Sequence, residues 1–78
     1  MTPQQDAIAA IVADVCSQSK VTDAELDTPL KDLGVDSLDV ASIFLAIHEQ
    51  LAVRVPDADI DGLNTVRKIA DYLEARRG

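Results

Sequence analysis

The residues best placed to do chemistry form the segment LGVDSLDV at positions 33–40, in which Ser37 stands between Asp36 and Leu38. A serine acts as a nucleophile when a base lies within hydrogen-bond reach and a third group orients that base. The only histidine, His48, follows eleven residues later, which is roughly 16 Å along a continuous helix. A serine–histidine pair within this chain is therefore excluded if that helix is continuous, and the segment also lacks a G-x-S-x-G turn.

Ser37 is then either a helix-start residue with no further role or a hydroxyl that another protein modifies. Side-chain oxygens are common at helix starts because they accept hydrogen bonds from backbone N–H groups that have no partner inside the helix. Asp36 is predicted to be such a cap, for a helix that begins at Asp36 or Ser37. Asp39 adds negative charge near the N-terminus of this helix, where the helix dipole favours it.

The acidic segment DADIDG at positions 57–62 mimics the opening of an EF-hand calcium loop. The twelfth position of such a loop is a glutamate that binds calcium through both oxygens. Here that position is Lys68, preceded by Arg67, and no helix long enough to enter an EF-hand comes directly before the segment. We therefore expect at most weak, nonspecific divalent-cation binding and predict no metal site.

Helical spacing of apolar residues predicts a first helix over roughly residues 3–17. Thr2 suits its N-terminal cap, and Pro3 suits its first position because the missing N–H would have no partner there. Residues 18–36 follow as a long connection with more aliphatic residues than a solvated linker carries. We expect this loop to lie across the bundle, anchored by its aliphatic side chains. They are Val21, Leu26, Leu30, Leu33 and Val35.

The remaining elements are also helical. The second helix should extend to about Ala52, and residues 57–62 should form one short helical turn. Asn64 or Thr65 is predicted to cap the last helix. Because no strand pattern or hairpin turn occurs, the predicted fold class is all-α. It is a small four-helix bundle, made of three main helices and one short helix, with a long first loop.

The second helix carries apolar residues on two faces. One face is expected to enter the core and consists of Val40, Ile43, Phe44, Ile47 and Leu51. Leu38, Ala41 and Leu45 lie on roughly the opposite face, and a small bundle cannot bury both faces. Isolated leucines are common on protein surfaces. The alternative is a docking surface for another protein, which Asp36, Leu38, Asp39, Ala41, Leu45 and Glu49 would form.

The charge distribution favours a basic partner. The net charge is -7, which opposes binding to nucleic acid or to anionic membrane surfaces. Residues 36–61 hold six acids and one base, so the negative field is strongest around the second helix and the short turn after it. Such a field steers a basic partner and sets its orientation more than it adds affinity.

Length and composition limit the other possibilities. The 78 residues allow a single domain, residues 1–78, and two aromatic residues, Phe44 and Tyr72, leave it a thin aliphatic core. A single cysteine, Cys16, excludes an intramolecular disulfide, and no signal peptide or membrane-spanning run is evident. These features predict a cytoplasmic location without membrane insertion. We also expect a monomer.

The segment DLGVDSLDV resembles the attachment motif of acyl carrier proteins, with Ser37 at the position that carries phosphopantetheine. The chain length, the long first loop, the segment VPDADI and the segment NTVRKIADYL also resemble the bacterial type II carriers. The resemblance extends over nearly the whole chain. Each piece alone is moderately specific, and their order and spacing together are strongly specific.

The resemblance implies a carrier without catalytic activity of its own. A phosphopantetheinyl transferase would attach 4'-phosphopantetheine from coenzyme A to the Ser37 hydroxyl, with Asp36 presenting the serine or contacting the transferase's magnesium ion. The thiol of that group would carry acyl thioesters between separate enzymes. The expected partners are an acyl synthetase, a ketosynthase or an acyltransferase with basic patches, in fatty-acid, lipid or polyketide biosynthesis.

Two departures from the family pattern bear on the pathway. The typical fatty-acid carrier has a glutamate five residues after the modified serine, where this chain has Ser42, and more acids near the end of the second helix. A carrier dedicated to a specialised lipid or polyketide is the resulting hypothesis. Peptide-synthetase carriers usually have a glycine where this chain has Val35, so the resemblance to that class of carrier is weaker. The competing hypothesis is an unmodified helical adaptor that docks a basic partner through the second helix.

Overall fold

The computed structural model describes residues 2–17 and 20–77, which form four α-helices and, within the loop, two short 3-10 turns. Helix α1 spans Pro3–Val15, α2 spans Ser37–Leu51, α3 spans Asp57–Ile60 and α4 spans Val66–Arg77. No strand occurs in these ranges. The prediction of an all-α bundle with three main helices and one short helix is confirmed.

Helix α1 begins as its sequence predicts. The Thr2 hydroxyl accepts a hydrogen bond from the Gln5 N–H at 3.1 Å, and the Gln5 side chain accepts one from the Thr2 N–H at 3.0 Å. The predicted end at residue 17 was wrong by two residues, because α1 ends at Val15. Cys16 leaves the helical conformation, at φ -126° and ψ 90°, where the chain turns into the loop.

The core is aliphatic and lies between α1, α2 and α4. Helix α1 packs against both of the other long helices. The fully buried side chains in this core are Ile8, Val12, Ile43, Ile47, Val66, Ile69 and Leu73. Phe44 is the one buried aromatic residue among the described positions, so the expectation of an aliphatic core holds.

The long loop is fixed to the start of α4. Leu26, Leu30 and Val35 are buried in the core, as their aliphatic side chains predict. The Leu30 N–H donates to the Asn64 carbonyl at 2.9 Å, and the Arg67 N–H donates to the Leu26 carbonyl at 3.1 Å. These bonds hold the loop beside α4 and so position the segment that leads into α2. Residues 18 and 19 of the predicted loop lie outside the described residues.

Helix α3 is a single turn that α4 holds through one carboxylate. The Tyr72 hydroxyl donates to Asp59 Oδ2 at 2.6 Å, and Arg76 Nη2 lies 3.5 Å from the same oxygen. The Arg76 guanidinium also lies over the Tyr72 ring, 4.5 Å from its centroid. Burial raises the pKa of the Tyr72 phenol, and its hydrogen bond to Asp59 raises that pKa further. Together these three residues form the α3–α4 clasp, which consists of Asp59, Tyr72 and Arg76.

Candidate cofactor-attachment site and docking surface

Ser37 is the first residue of α2, and its side chain is exposed. The two neighbouring acids cap the helix. Asp36 Oδ1 accepts from the Asp39 N–H at 2.9 Å, and Asp39 Oδ2 accepts from the Asp36 N–H at 3.4 Å. The predicted cap at Asp36 is therefore confirmed, and Asp39 completes the reciprocal pair. Because these carboxylates do the capping, the Ser37 hydroxyl forms no hydrogen bond with the part of the chain that the structure describes.

The loop before Ser37 sets its exposure. Gly34 ends the 3-10 turn Leu30–Leu33 with φ 85°, a left-handed conformation that glycine adopts without a steric penalty. The next residue, Val35, is buried, and its N–H donates to the Leu30 carbonyl at 3.1 Å. The turn at Gly34 and the anchor at Val35 together deliver Ser37 to the surface.

Cys16 lies beside this turn. Its Sγ is 3.8 Å from the Gly34 carbonyl oxygen, to which the thiol donates, and its side chain packs against the edge of the core. This position agrees with the role of a small apolar residue. Cys16 therefore contributes to the packing that holds the loop before Ser37.

The second apolar face of α2 is on the surface. Leu38 is 78% exposed and Leu45 is 58% exposed, the two large apolar side chains of the described chain that solvent reaches most. Ala41 lies exposed between them, while Ile43 and Ile47 on the opposite face are fully buried. The predicted division of the helix into two faces is therefore confirmed.

The charged members of the predicted docking surface frame this apolar strip. Asp36 and Glu49 are exposed, at the two ends of α2, and Asp39 is half-buried in the first turn. His48 is exposed near the C-terminal end of the same helix. Since α2 is continuous from Ser37 to Leu51, His48 lies three turns from Ser37 and does not act on it as a base.

A groove of about 740 Å³ begins beside Ser37 and lies between α2 and α3. Buried and half-buried apolar side chains form much of its lining. They are Leu30, Val35, Val40, Phe44, Val55, Ile60 and Leu63. His48 and Arg54 also line it. Sequence reasoning missed this groove, because it depends on how the loop and α3 sit against α2.

The acidic segment 57–62 adopts a different arrangement from a calcium loop. Asp59 is directed toward α4, where it accepts the hydrogen bond from Tyr72. The Lys68 amine donates to Asn64 Oδ1 at 3.1 Å. Within residues 2–17 and 20–77, no three histidine, cysteine, aspartate or glutamate side chains converge as metal ligands. The described helices also include none that is both long and apolar enough to cross a membrane.

Comparison with known proteins identifies the family. The family model for the phosphopantetheine attachment site matches residues 6–73. The acyl carrier protein of Syntrophobacter fumaroxidans is 38% identical over 66 residues, which cover 80% of this chain and 82% of that protein. The acyl carrier protein of Clostridium perfringens is 34% identical over 68 residues, which cover 87% of this chain and 90% of that one.

A solved structure shares the fold. It is a type-II acyl carrier protein from Streptomyces verticillus, involved in bleomycin biosynthesis, and it superposes with a TM-score of 0.81. The match covers 96% of this chain and 87% of that one at 20% identity, so it speaks for the fold alone. The family model and the curated relatives carry the assignment beyond the fold. The chain belongs to the acyl carrier protein family, whose members hold acyl groups on 4'-phosphopantetheine for biosynthetic enzymes and are carriers rather than catalysts.

Proposed function

We propose that Ser37 is the attachment residue of this carrier and that α2 presents the loaded arm to separate enzymes. The observation that carries this proposal is the exposed Ser37 hydroxyl at the first position of α2, which the Asp36–Asp39 cap leaves free. A transferase would join this oxygen to the phosphorus atom that bears the pantetheine arm of coenzyme A. The phosphoanhydride bond of coenzyme A would break, adenosine 3',5'-bisphosphate would leave, and the hydroxyl proton would be lost. When bound, the group supplies the thiol that holds the acyl chain as a thioester.

The surroundings of Ser37 suit a phosphodiester. The first backbone N–H groups of α2 lie at the positive end of the helix dipole, which stabilises a negative charge beside them. The fifteen-residue length of α2 gives this dipole its full effect at the terminus. The groove that begins beside Ser37 offers an apolar surface to the acyl chain. The site therefore fits both ends of the cofactor arm.

The partner surface in this proposal is the docking surface. Leu38, Ala41 and Leu45 provide its apolar centre, where interface energy usually concentrates. Its acids orient a partner that carries a basic patch. We propose the phosphopantetheinyl transferase as one such partner, and an acyl synthetase, ketosynthase or acyltransferase as the others. The acidic members of the surface are Asp36, Asp39 and Glu49.

The setting of the carrier is part of the same proposal. We propose that residues 1–78 act as a single domain and as a monomer in the cytoplasm, and that the pathway is a specialised one. A single core that all long helices share supports one domain. The exposed Ser42, at the place of the usual glutamate, supports a set of partners different from that of a general fatty-acid carrier.

Mass spectrometry after co-expression with a broad-specificity phosphopantetheinyl transferase tests the attachment residue. We expect one added phosphopantetheine mass on the peptide that contains Ser37. Ser37→Ala should abolish the added mass, and Ser42→Ala, an exposed serine of the same helix, should be loaded like the wild type. A wild-type chain that stays unmodified while a control carrier is loaded would favour the unmodified adaptor.

A further inference from the structure

The groove between α2 and α3 has a polar end. It extends along α2 from Ser37 to His48, a distance of roughly 16 Å at the helical rise. Residues 52–56 link the end of α2 to α3, so Arg54, which also lines the groove, belongs to the same end as His48. Apolar residues such as Val40 and Phe44 line the groove between these positions.

The two basic side chains at this end have no partner in the part of the chain that the structure describes. Neither Arg54 nor His48 forms a side-chain hydrogen bond or an ion pair with any residue that the structure describes. Three basic residues of α4 do have partners: Arg67 pairs with Asp27, Arg76 with Asp59, and the Lys68 amine with Asn64. The groove therefore ends at donor groups that have no partner among residues 2–17 and 20–77.

The charges around the groove favour a neutral oxygen over an anion. Asp57 and Asp61 line the same cavity, so a carboxylate in it would face two negative charges as well as Arg54. A guanidinium offers five N–H donors, and an imidazole offers at least one in either protonation state. A ketone oxygen accepts from such donors without adding a charge. A ketone that enters an apolar groove without a donor would lose its hydrogen bonds to water.

We propose that Arg54 and His48 bind an oxygen of the acyl cargo, so that the groove prefers chains with a ketone beyond the thioester to plain alkyl chains. This inference rests on the attachment of the arm to Ser37 and names the class of cargo for that site. The apolar lining accommodates the hydrocarbon part of the chain, and the donors select the oxygen. Arg54 and His48 are then specificity-determining residues of the carrier.

The protection of the thioester from hydroxylamine tests this selection. The carrier is loaded from coenzyme A thioesters with three chains of equal length: octanoyl, the same chain with a ketone next to its terminal methyl, and the same chain ending in a carboxylate. Mass spectrometry first confirms loading, and the rate of thioester cleavage is then measured. We expect the keto chain to be cleaved about threefold more slowly than octanoyl, the factor that one modest net hydrogen bond supplies.

Variants identify the donors. Arg54→Met should remove most of the advantage of the keto chain, and Arg54→Met combined with His48→Phe should remove all of it. Lys20→Met makes the same change of charge at an exposed residue that does not line the groove, and it should keep the advantage. Circular dichroism checks that each variant is folded. Because both residues are exposed, we expect their replacement to leave the bundle intact.

Three results would overturn the inference. The first is equal protection of keto and octanoyl chains in the wild type. The second is a keto advantage that persists in the double variant, and the third is a larger advantage for the carboxylate chain. Failure of the loading step itself would instead contradict attachment at Ser37 and would remove the basis of this inference with it.

Discussion

At the start of α2, capping of the helix and presentation of a free hydroxyl belong to different residues: Asp36 caps the helix, and Ser37 presents the hydroxyl. Asp36 and Asp39 satisfy backbone N–H groups at the start of α2, and the Ser37 hydroxyl stays available. A modification at Ser37 therefore removes no capping hydrogen bond. The same division explains why Ser37→Ala serves as a clean test, because it leaves both capping carboxylates in place.

Leu38 is the residue of the proposed docking surface whose replacement should weaken partner binding most. It is more exposed than Leu45 and lies next to Ser37. Leu38→Ala should raise the KM for loading by the transferase about fivefold, because central apolar residues of an interface contribute about 1 kcal/mol or more. Loading rates at several carrier concentrations give this value. Gln50→Ala, an exposed change on the same helix, is the control and should leave the KM unchanged. An unchanged KM in Leu38→Ala would show that the strip is ordinary surface.

Ala52 ends α2 in a conformation that disfavours its own side chain. Its φ of 57° lies in the left-handed region, where a Cβ atom costs about 1–2 kcal/mol. Ala52→Gly should therefore stabilise the protein by up to about 1 kcal/mol, after the larger entropy of glycine in the unfolded chain is subtracted. Urea denaturation measures the change. Ala10→Gly, at an exposed position inside α1, should destabilise instead by about 0.5–1 kcal/mol, and equal signs for the two variants would contradict this account.

The position of helix α3 depends on the α3–α4 clasp. The helix has four residues, too few to be stable by their own hydrogen bonds, and Asp59 is the side chain that ties it to α4. The Tyr72 hydroxyl approaches this carboxylate more closely than Arg76 does. Helix α3 also forms one side of the groove beside Ser37. By holding α3 against α4, the clasp therefore fixes the position of that side of the groove.

Tyr72→Phe should loosen α3 while it keeps the ring beneath Arg76. The variant removes the hydrogen bond to Asp59, so amide hydrogen exchange should become faster in residues 57–60 and change little in α1. The melting temperature should fall slightly. Exchange in α3 that matches the wild type would mean that packing alone holds this helix.

The contribution of the Tyr72 hydroxyl should depend on pH in the alkaline range. Burial and the bond to Asp59 raise the pKa of Tyr72 above its ordinary value of 10.0 in the folded protein. The stabilisation is thus fully present below pH 10.0, and it is lost as the pH rises through the higher folded value. The stability difference between the wild type and Tyr72→Phe should be constant from pH 7 to 9 and shrink above about pH 10. A difference that grows with alkali would contradict this direction.

The helices could be predicted because their signals are local, whereas Ser37 as the attachment residue stays a prediction that rests on the resemblance of its motif. The cap at Asp36, the exposure of Leu38 and the burial of Leu30 each follow from residue type and short-range spacing. The α3–α4 clasp could not be predicted from the sequence, because Asp59 and Tyr72 belong to different helices. Their contact depends on how those helices pack. The groove and the position of Arg54 at its end depend on the same packing.

The net charge of -7 is distributed unevenly over the protein. Six of the acids lie between residues 36 and 61, on α2, on α3 and in the segments beside them, whereas basic residues concentrate in α4. The field around the proposed docking surface is therefore negative. Such a field raises the rate at which a basic partner arrives, and salt weakens it because the Debye length falls to about 10 Å at 0.1 M.

Glu49→Lys should slow association with the transferase at low salt. Glu49 forms no side-chain bond within the described residues and lies near the end of α2, so its replacement changes the field more than the fold. Glu74→Lys makes the same change near the end of α4 and should have a smaller effect. Stopped-flow association rates at low and high salt measure both variants. If both variants lowered the association rate equally, local electrostatic steering would be ruled out. A decrease in the rate of Glu49→Lys that is the same at low and high salt would also rule it out.

The bonds between the loop and α4 have a consequence for how the protein forms. Leu30 and Leu26 in the loop meet Asn64 and Arg67, which come much later in the chain, after α3. Contacts between distant parts of a chain close late, because the entropy of the intervening loop must be lost first. On a ribosome, α1 and α2 emerge before these contacts exist. The loop before Ser37 can therefore reach its final shape only after the start of α4 has been synthesised, so the surroundings of Ser37 form later than α2 itself.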